Sequence, residues 1–263
     1  KIVDGNDKYL IPGLIDDQVH FREPGLTNKG DIFSESRAAV AGGITSFIEM
    51  PNTNPQTTTM KNIEQKLDIA SRNSVANYGF MFGGTNSNLD EIKKIDEKKV
   101  AGLKLFLGSS TGNMLVNKKE VIKEIFESSK LVISVHCEDE LIIKKNLDYY
   151  LGMYGKNIPF KFHPSIRSAE ACFKSSSEAV NLALETGARL HVFHLSTGKE
   201  TKLFSKKPLE EKQITSEVCT HHLWFSDKDY ESKGSRIKWN PAIKTEQDKI
   251  ALWEALNEDK IDV

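Results

Sequence analysis

Short apolar runs alternate with longer amphipathic stretches along the whole chain, the sequence sign of βα units that build a parallel sheet. Candidate strands lie at 10–16, 44–50, 77–82, 100–106, 131–136, 189–194 and 214–218, with a partial eighth at 260–263. Helical patterns fill the gaps. Residues 31–41 run into Gly42-Gly43, residues 117–129 have Asn117 as N-cap, and residues 168–186 stop at Gly187. Turns such as Gly83-Gly84-Thr85-Asn86 and Gly108-Ser109-Ser110-Thr111-Gly112 follow strand ends, where a barrel keeps its functional loops.

The 263 residues suffice for one large domain, expected over 13–263. Residues 1–12, with Asp4-Gly5 as a turn signal, are expected to be a remnant of a small accessory β-sandwich. The chain begins without Met and stops at Ile261-Asp262-Val263, which reads as the opening of a buried strand, so both ends read as cut.

Lys and Arg total 36 against 37 Asp and Glu, a net charge of −1 that gives no long-range attraction to nucleic acid or an anionic membrane. A small-molecule partner is favoured, and a homodimer is compatible with this balance. Cys137, Cys172 and Cys219 form no CxxC pair, which argues against a disulfide framework and fits a reducing, cytoplasmic setting. No apolar stretch reaches the roughly 18 residues of a membrane span, and no charged leader opens the chain.

Metal-ligand residue types gather at the C-terminal ends of the candidate strands. His20 follows the first, Lys104 lies in the fourth, His136 ends the fifth, His194 ends the sixth, and His221 with His222 follows the seventh. In a closed barrel such ends converge on one mouth, where several imidazoles could hold a divalent ion and leave a position for water. His163 and His191 read instead as surface or packing residues. Lys104 interrupts the apolar strand Gly102-Leu103-Lys104-Leu105-Phe106. It either reaches out to solvent or, with its ammonium form disfavoured, reacts with carbon dioxide to give an anionic carbamate able to bridge metals.

The segment Ile15-Asp16-Asp17-Gln18-Val19-His20-Phe21-Arg22-Glu23-Pro24-Gly25 resembles the first-strand signature of the amidohydrolase superfamily, and Phe-Arg-Glu-Pro-Gly resembles dihydroorotases of type I in particular. Further matches follow in order: Met50-Pro51-Asn52-Thr53, Gly102-Leu103-Lys104-Leu105, His136-Cys137-Glu138, His194-Leu195-Ser196, Glu217-Val218 leading to His221-His222-Leu223, and Asn240-Pro241-Ala242-Ile243-Lys244. The resemblance implies an α/β fold, a (β/α)8 amidohydrolase barrel incomplete at its eighth strand, that interconverts dihydroorotate and N-carbamoyl-L-aspartate in pyrimidine synthesis. It implies one or two zinc ions per chain held by His20, carbamylated Lys104, His136, His194 and His221. Substrate would be held by Arg22, Asn52 and Asn240.

Two departures qualify that ligand set. Gln18 stands where the family has the first imidazole of a His-x-His pair, which weakens one metal position. The family's catalytic Asp and a neighbouring His fall just beyond Val263, so the general acid/base is unassigned. Allantoinases, hydantoinases and dihydropyrimidinases share the barrel and the metals, and Arg22 argues against them because it suits a carboxylate-bearing substrate. A catalytically silent barrel acting as an assembly partner is the rival outside enzymes; Gln18 supports it, and the persistence of Lys104, His136, His194 and His221 opposes it.

Overall fold

Seven of the expected strands form among the described residues, alternating with helices. This computed structural model describes residues 4–108 and 114–263; the first three residues and positions 109–113 of the expected glycine-rich loop lie outside them. The chain divides into two compact units, one ending at Gly83 but including Lys94–Ala101, the other made of Gly84–Lys93 and Gly102–Val263.

In the first unit β1 (Leu14–Val19), β2 (Ile44–Glu49) and β3 (Asn77–Gly83) pair in parallel in chain order, with Asp16 beside Phe47 and Phe47 beside Tyr78. Helix α1 (Ile32–Ala41) starts at a capping box in which the Asp31 carboxylate accepts the Ser34 N–H at 2.7 Å. Helix α2 (Met60–Asn73) is capped by Thr59. Phe47, Met50, Ile63, Phe80 and Phe82 are buried between these helices and the strands.

In the second unit β4 (Gly102–Phe106), β5 (Ile133–His136), β6 (Leu190–Val192) and β7 (Ile214–Ser216) are likewise parallel in chain order. The helices in this unit are α3 (Leu89–Ile92), α4 (Lys119–Ser128), α5 (Glu140–Tyr154), α6 (His163–Ile166), α7 (Ala169–Thr186), α8 (Thr220–Trp224), α9 (Tyr230–Lys233) and α10 (Glu246–Asn257). Every residue of β4 and β5 is buried, the pattern of parallel strands covered on both faces. Ser168 caps α7, and Gly187 at φ +76° ends it in the left-handed conformation that glycine adopts without strain.

Residues 4–13 contain no strand: the Lys8 N–H donates to Gly5 O at a turn, and Tyr9, Leu10 and Ile11 are exposed. Two sequence expectations need correction. Asn117 is not the cap of α4, which begins after Lys118; its side chain is instead engaged by Asn86, whose amide donates to Asn117 Oδ1 at 3.1 Å. The sixth strand stops at Val192, so His194 lies beyond it, in a turn at φ +42°. The partial eighth strand is present only as hydrogen bonds at the edge of β7, from Asp262 N to Ser216 O at 2.9 Å and from Val218 N to Val263 O at 3.0 Å. No described helix is long and apolar enough to cross a membrane.

Candidate active site

In the first unit the chain leaves β1 through His20, Phe21 and Arg22. Arg22 is left-handed at φ +71°, and its N–H donates to Glu49 Oε1 at 3.2 Å. Glu49 is fully buried and ion-paired with the equally buried Lys66, whose ammonium also donates to Met50 O at 3.1 Å. The turn is therefore anchored to the loop after β2. That loop returns the contact: Asn52 Oδ1 lies 2.9 Å from His20 Nδ1, and Asn52 O accepts from the Arg22 guanidinium at 3.4 Å. Gly25 at φ +84° completes the fit, because a Cβ there would sit 1.8 Å from Asn54 O. Three predicted site residues, His20, Arg22 and Asn52, are thus brought together by local geometry, while Gln18 lies half-buried within β1.

In the second unit Lys104 is completely buried, so it does not reach solvent; its Nζ lies 4.0 Å from the ring centre of Phe193 and 4.9 Å from that of Phe106. His136, at the end of β5, and His194 face each other with Nδ1 of the first 3.1 Å from Nε2 of the second. Burial and the nearby Lys104 charge lower both imidazole pKa values, His194 far below its ordinary range with His136 contributing, so both rings are neutral at physiological pH.

The sequence reading did not assign the groups that orient these rings. Glu138 Oε2 lies 2.9 Å from His136 Nε2 and fixes that ring's proton there, leaving the Nδ1 lone pair turned to His194. Arg167 Nε donates to both Glu138 oxygens at 3.1 Å. Burial alone would raise the Glu138 carboxyl, but His136 and Arg167 outweigh it and hold it at about 2. Glu217 accepts the His194 N–H at 3.1 Å and holds its turn, while its other oxygen lies 3.2 Å from His191 Nε2. The spacing His136-x-Glu138 was visible in sequence; Arg167, on a distant segment, carried no such signal. His163 and His191 are buried and hydrogen-bonded, His163 to Trp239 O at 2.7 Å.

This donor set fits a divalent metal. Two ligands of one tetrahedral zinc, each at ~2.0–2.1 Å, stand roughly 3.3 Å apart, close to the His136 to His194 separation. The remaining predicted residues lie elsewhere in the unit. Exposed Asn240 lines a cavity of about 390 Å³ together with Phe160, His163, Arg167 and Lys238. His221 stacks on Trp239, with ring centres 4.3 Å apart and planes 9° from parallel, and groups with Cys219 and His222.

Comparison with known proteins decides the family. The pattern of the amidohydrolase family matches residues 9–258. The chain belongs to the amidohydrolase family. It is 32% identical to a dihydroorotase of Methanosarcina mazei over its whole length and 58% of that protein. It is 30% identical to an allantoinase of Desulfitobacterium hafniense over 99% of the chain and 59% of the relative. The chain thus spans somewhat over half the length of these amidohydrolase relatives. Among solved structures, the L-hydantoinase (dihydropyrimidinase) of Arthrobacter aurescens superposes with a TM-score of 0.89 at 29% identity, over 96% of this chain and 56% of that one. The fold is accordingly that of the amidohydrolase (β/α)8 barrel.

Proposed function

We propose that the protein is a cyclic amidohydrolase acting on dihydroorotate, which it interconverts with N-carbamoyl-L-aspartate in pyrimidine synthesis. The observation that carries this reading is the anchored Arg22, a guanidinium held by Asn52 with its backbone fixed on Glu49. A guanidinium fork matches a carboxylate bidentately, and dihydroorotate carries one whereas hydantoin and allantoin do not. The dihydroorotases among the relatives support the same substrate.

In this reading His136 and His194, with Lys104 as its carbamate, hold zinc. When bound, such an ion supplies Lewis acidity toward the ring amide and lowers the pKa of water. The chain's own residues do the rest. Glu138 and Arg167 keep His136 in the tautomer that presents Nδ1, Arg22 takes the substrate carboxylate, and Asn52 and Asn240 offer amide donors to its polar edge.

Arg22→Ala in the full-length protein tests the division of labour. Its kcat/KM for dihydroorotate should fall at least about a hundredfold, the loss of one charge-assisted pair, while bound metal stays unchanged. A parallel loss of metal would contradict the assignment, and an unchanged kcat/KM would remove Arg22 from substrate binding.

A further inference from the structure

We propose that Cys219, His221 and His222 form a second metal site, selective for thiophilic divalent ions such as zinc and built without His136 or His194. One ligand atom from each residue lies within 4.8 Å of the others. The local fold dictates this grouping. Cys219 is the residue before α8, the His222 N–H donates to Cys219 O at 2.9 Å, and the tight turn folds residues 219, 221 and 222 over one another.

His222 supplies the independent sign of a missing partner. Its Nε2 is 3.2 Å from Pro241 O, a carbonyl that can only accept, so Nε2 carries the proton and Nδ1 carries the lone pair. The ring is only 3% exposed, and that Nδ1 has no hydrogen-bond partner among the described residues. A buried nitrogen lone pair with no donor is costly unless a cation or water fills it.

His221 is fixed by its stack on Trp239, with ring planes 9° from parallel. Cys219 and His221 are only partly buried, which gives an ion a route in and leaves room for a solvent molecule as fourth ligand. Closure onto zinc needs the ligand atoms roughly 3.3–3.8 Å apart, an inward movement of about 1 Å that a partly exposed cysteine can supply by rotation. On binding, the Cys219 thiol gives its proton to solvent and coordinates as thiolate. Sulfur with two imidazoles favours zinc and its softer relatives over magnesium, calcium or manganese.

The site has a consequence for its surroundings. His222 holds Pro241 and His221 stacks on Trp239, so an ion there would pin both sides of Asn240 to α8.

Cobalt(II) is the probe, because thiolate coordination gives a near-ultraviolet charge-transfer band that a nitrogen and oxygen site lacks. The other cysteines compete poorly, because Cys137 and Cys172 are buried. Metal-stripped full-length protein titrated with cobalt(II) should develop the band to saturation. Cys219→Ser should abolish it, Cys137→Ser should retain it, and His221→Gln should weaken the responsible affinity at least about tenfold. Independently, zinc should protect Cys219 of the unmodified protein from alkylation, mapped by mass spectrometry, and a chelator should reverse that protection. A saturated protein with no thiolate band, a band that survives Cys219→Ser, or alkylation of Cys219 indifferent to zinc would each overturn the proposal.

Discussion

Glu138 and His136 are joined by a 2.9 Å contact between carboxylate and Nε2, two residues apart in sequence and both buried at the end of β5. The carboxylate is shielded from solvent, and Arg167 donates to both of its oxygens, so its function is to set the orientation and tautomer of the imidazole.

Glu138→Gln is expected to lower metal affinity by about 10- to 100-fold, because the amide cannot support the imidazole as the carboxylate does. Competition with a chelator of known affinity measures this, alongside circular dichroism to confirm the fold. Unchanged affinity in a folded variant would show that His136 needs no such support.

The buried pair of Lys66 and Glu49 predicts a separation of stability from substrate binding. Lys66→Met leaves the Glu49 carboxylate buried and uncompensated, a cost of about 3–5 kcal/mol in denaturant unfolding. Adding Glu49→Leu should recover most of that stability, since an apolar pair of similar volume tolerates the site. It should also raise KM for dihydroorotate with little change in kcat, because the Arg22 N–H loses its acceptor. A double variant with wild-type KM would mean that the Arg22 turn holds without Glu49.

Glu200 predicts a pH effect of the opposite sign to that of Glu138. It is fully buried, and burial raises its carboxyl pKa despite hydrogen bonds from Ser176 at 2.6 Å and Thr197 at 2.9 Å. A carboxyl whose folded pKa lies above its unfolded value binds its proton more tightly when folded. Its ionisation therefore costs stability as pH rises above the ordinary carboxylate range toward the raised folded value. Glu200→Gln should flatten that part of the stability profile and raise Tm at neutral pH, because one hydroxyl can go on donating to the amide oxygen while the other turns to accept from the amide nitrogen. Scanning calorimetry at about pH 4 and 7 tests it; a Tm lowered equally at both would show that the carboxylate's hydrogen bonds outweigh its burial.

Much of this arrangement was legible in the sequence. Lys104 stood out because an ammonium in an all-apolar strand is costly, and it is completely buried. Arg22, His20 and Asn52 were legible as motif residues, and the positive φ of Arg22 with the steric need for Gly25 gives the motif its physical basis. Other features depend on pairing at a distance. Arg167 reaches Glu138 across 29 positions, and Lys66 reaches Glu49 across 17, and no local periodicity encodes either contact. The capping by Asn117 failed because Asn86 competes for the same amide. His221 was read by type and position; its stacking partner Trp239 was not visible from spacing.

The central claim is that anchored Arg22 commits this amidohydrolase to a carboxylate-bearing ring. The direct measurement is kcat/KM of the full-length, zinc-supplied protein for ring opening of dihydroorotate, set beside allantoin and hydantoin under the same conditions. The account predicts a preference for dihydroorotate of at least about a hundredfold, the discrimination one bidentate charge-assisted pair supplies. Equal or greater turnover of allantoin or hydantoin would contradict it.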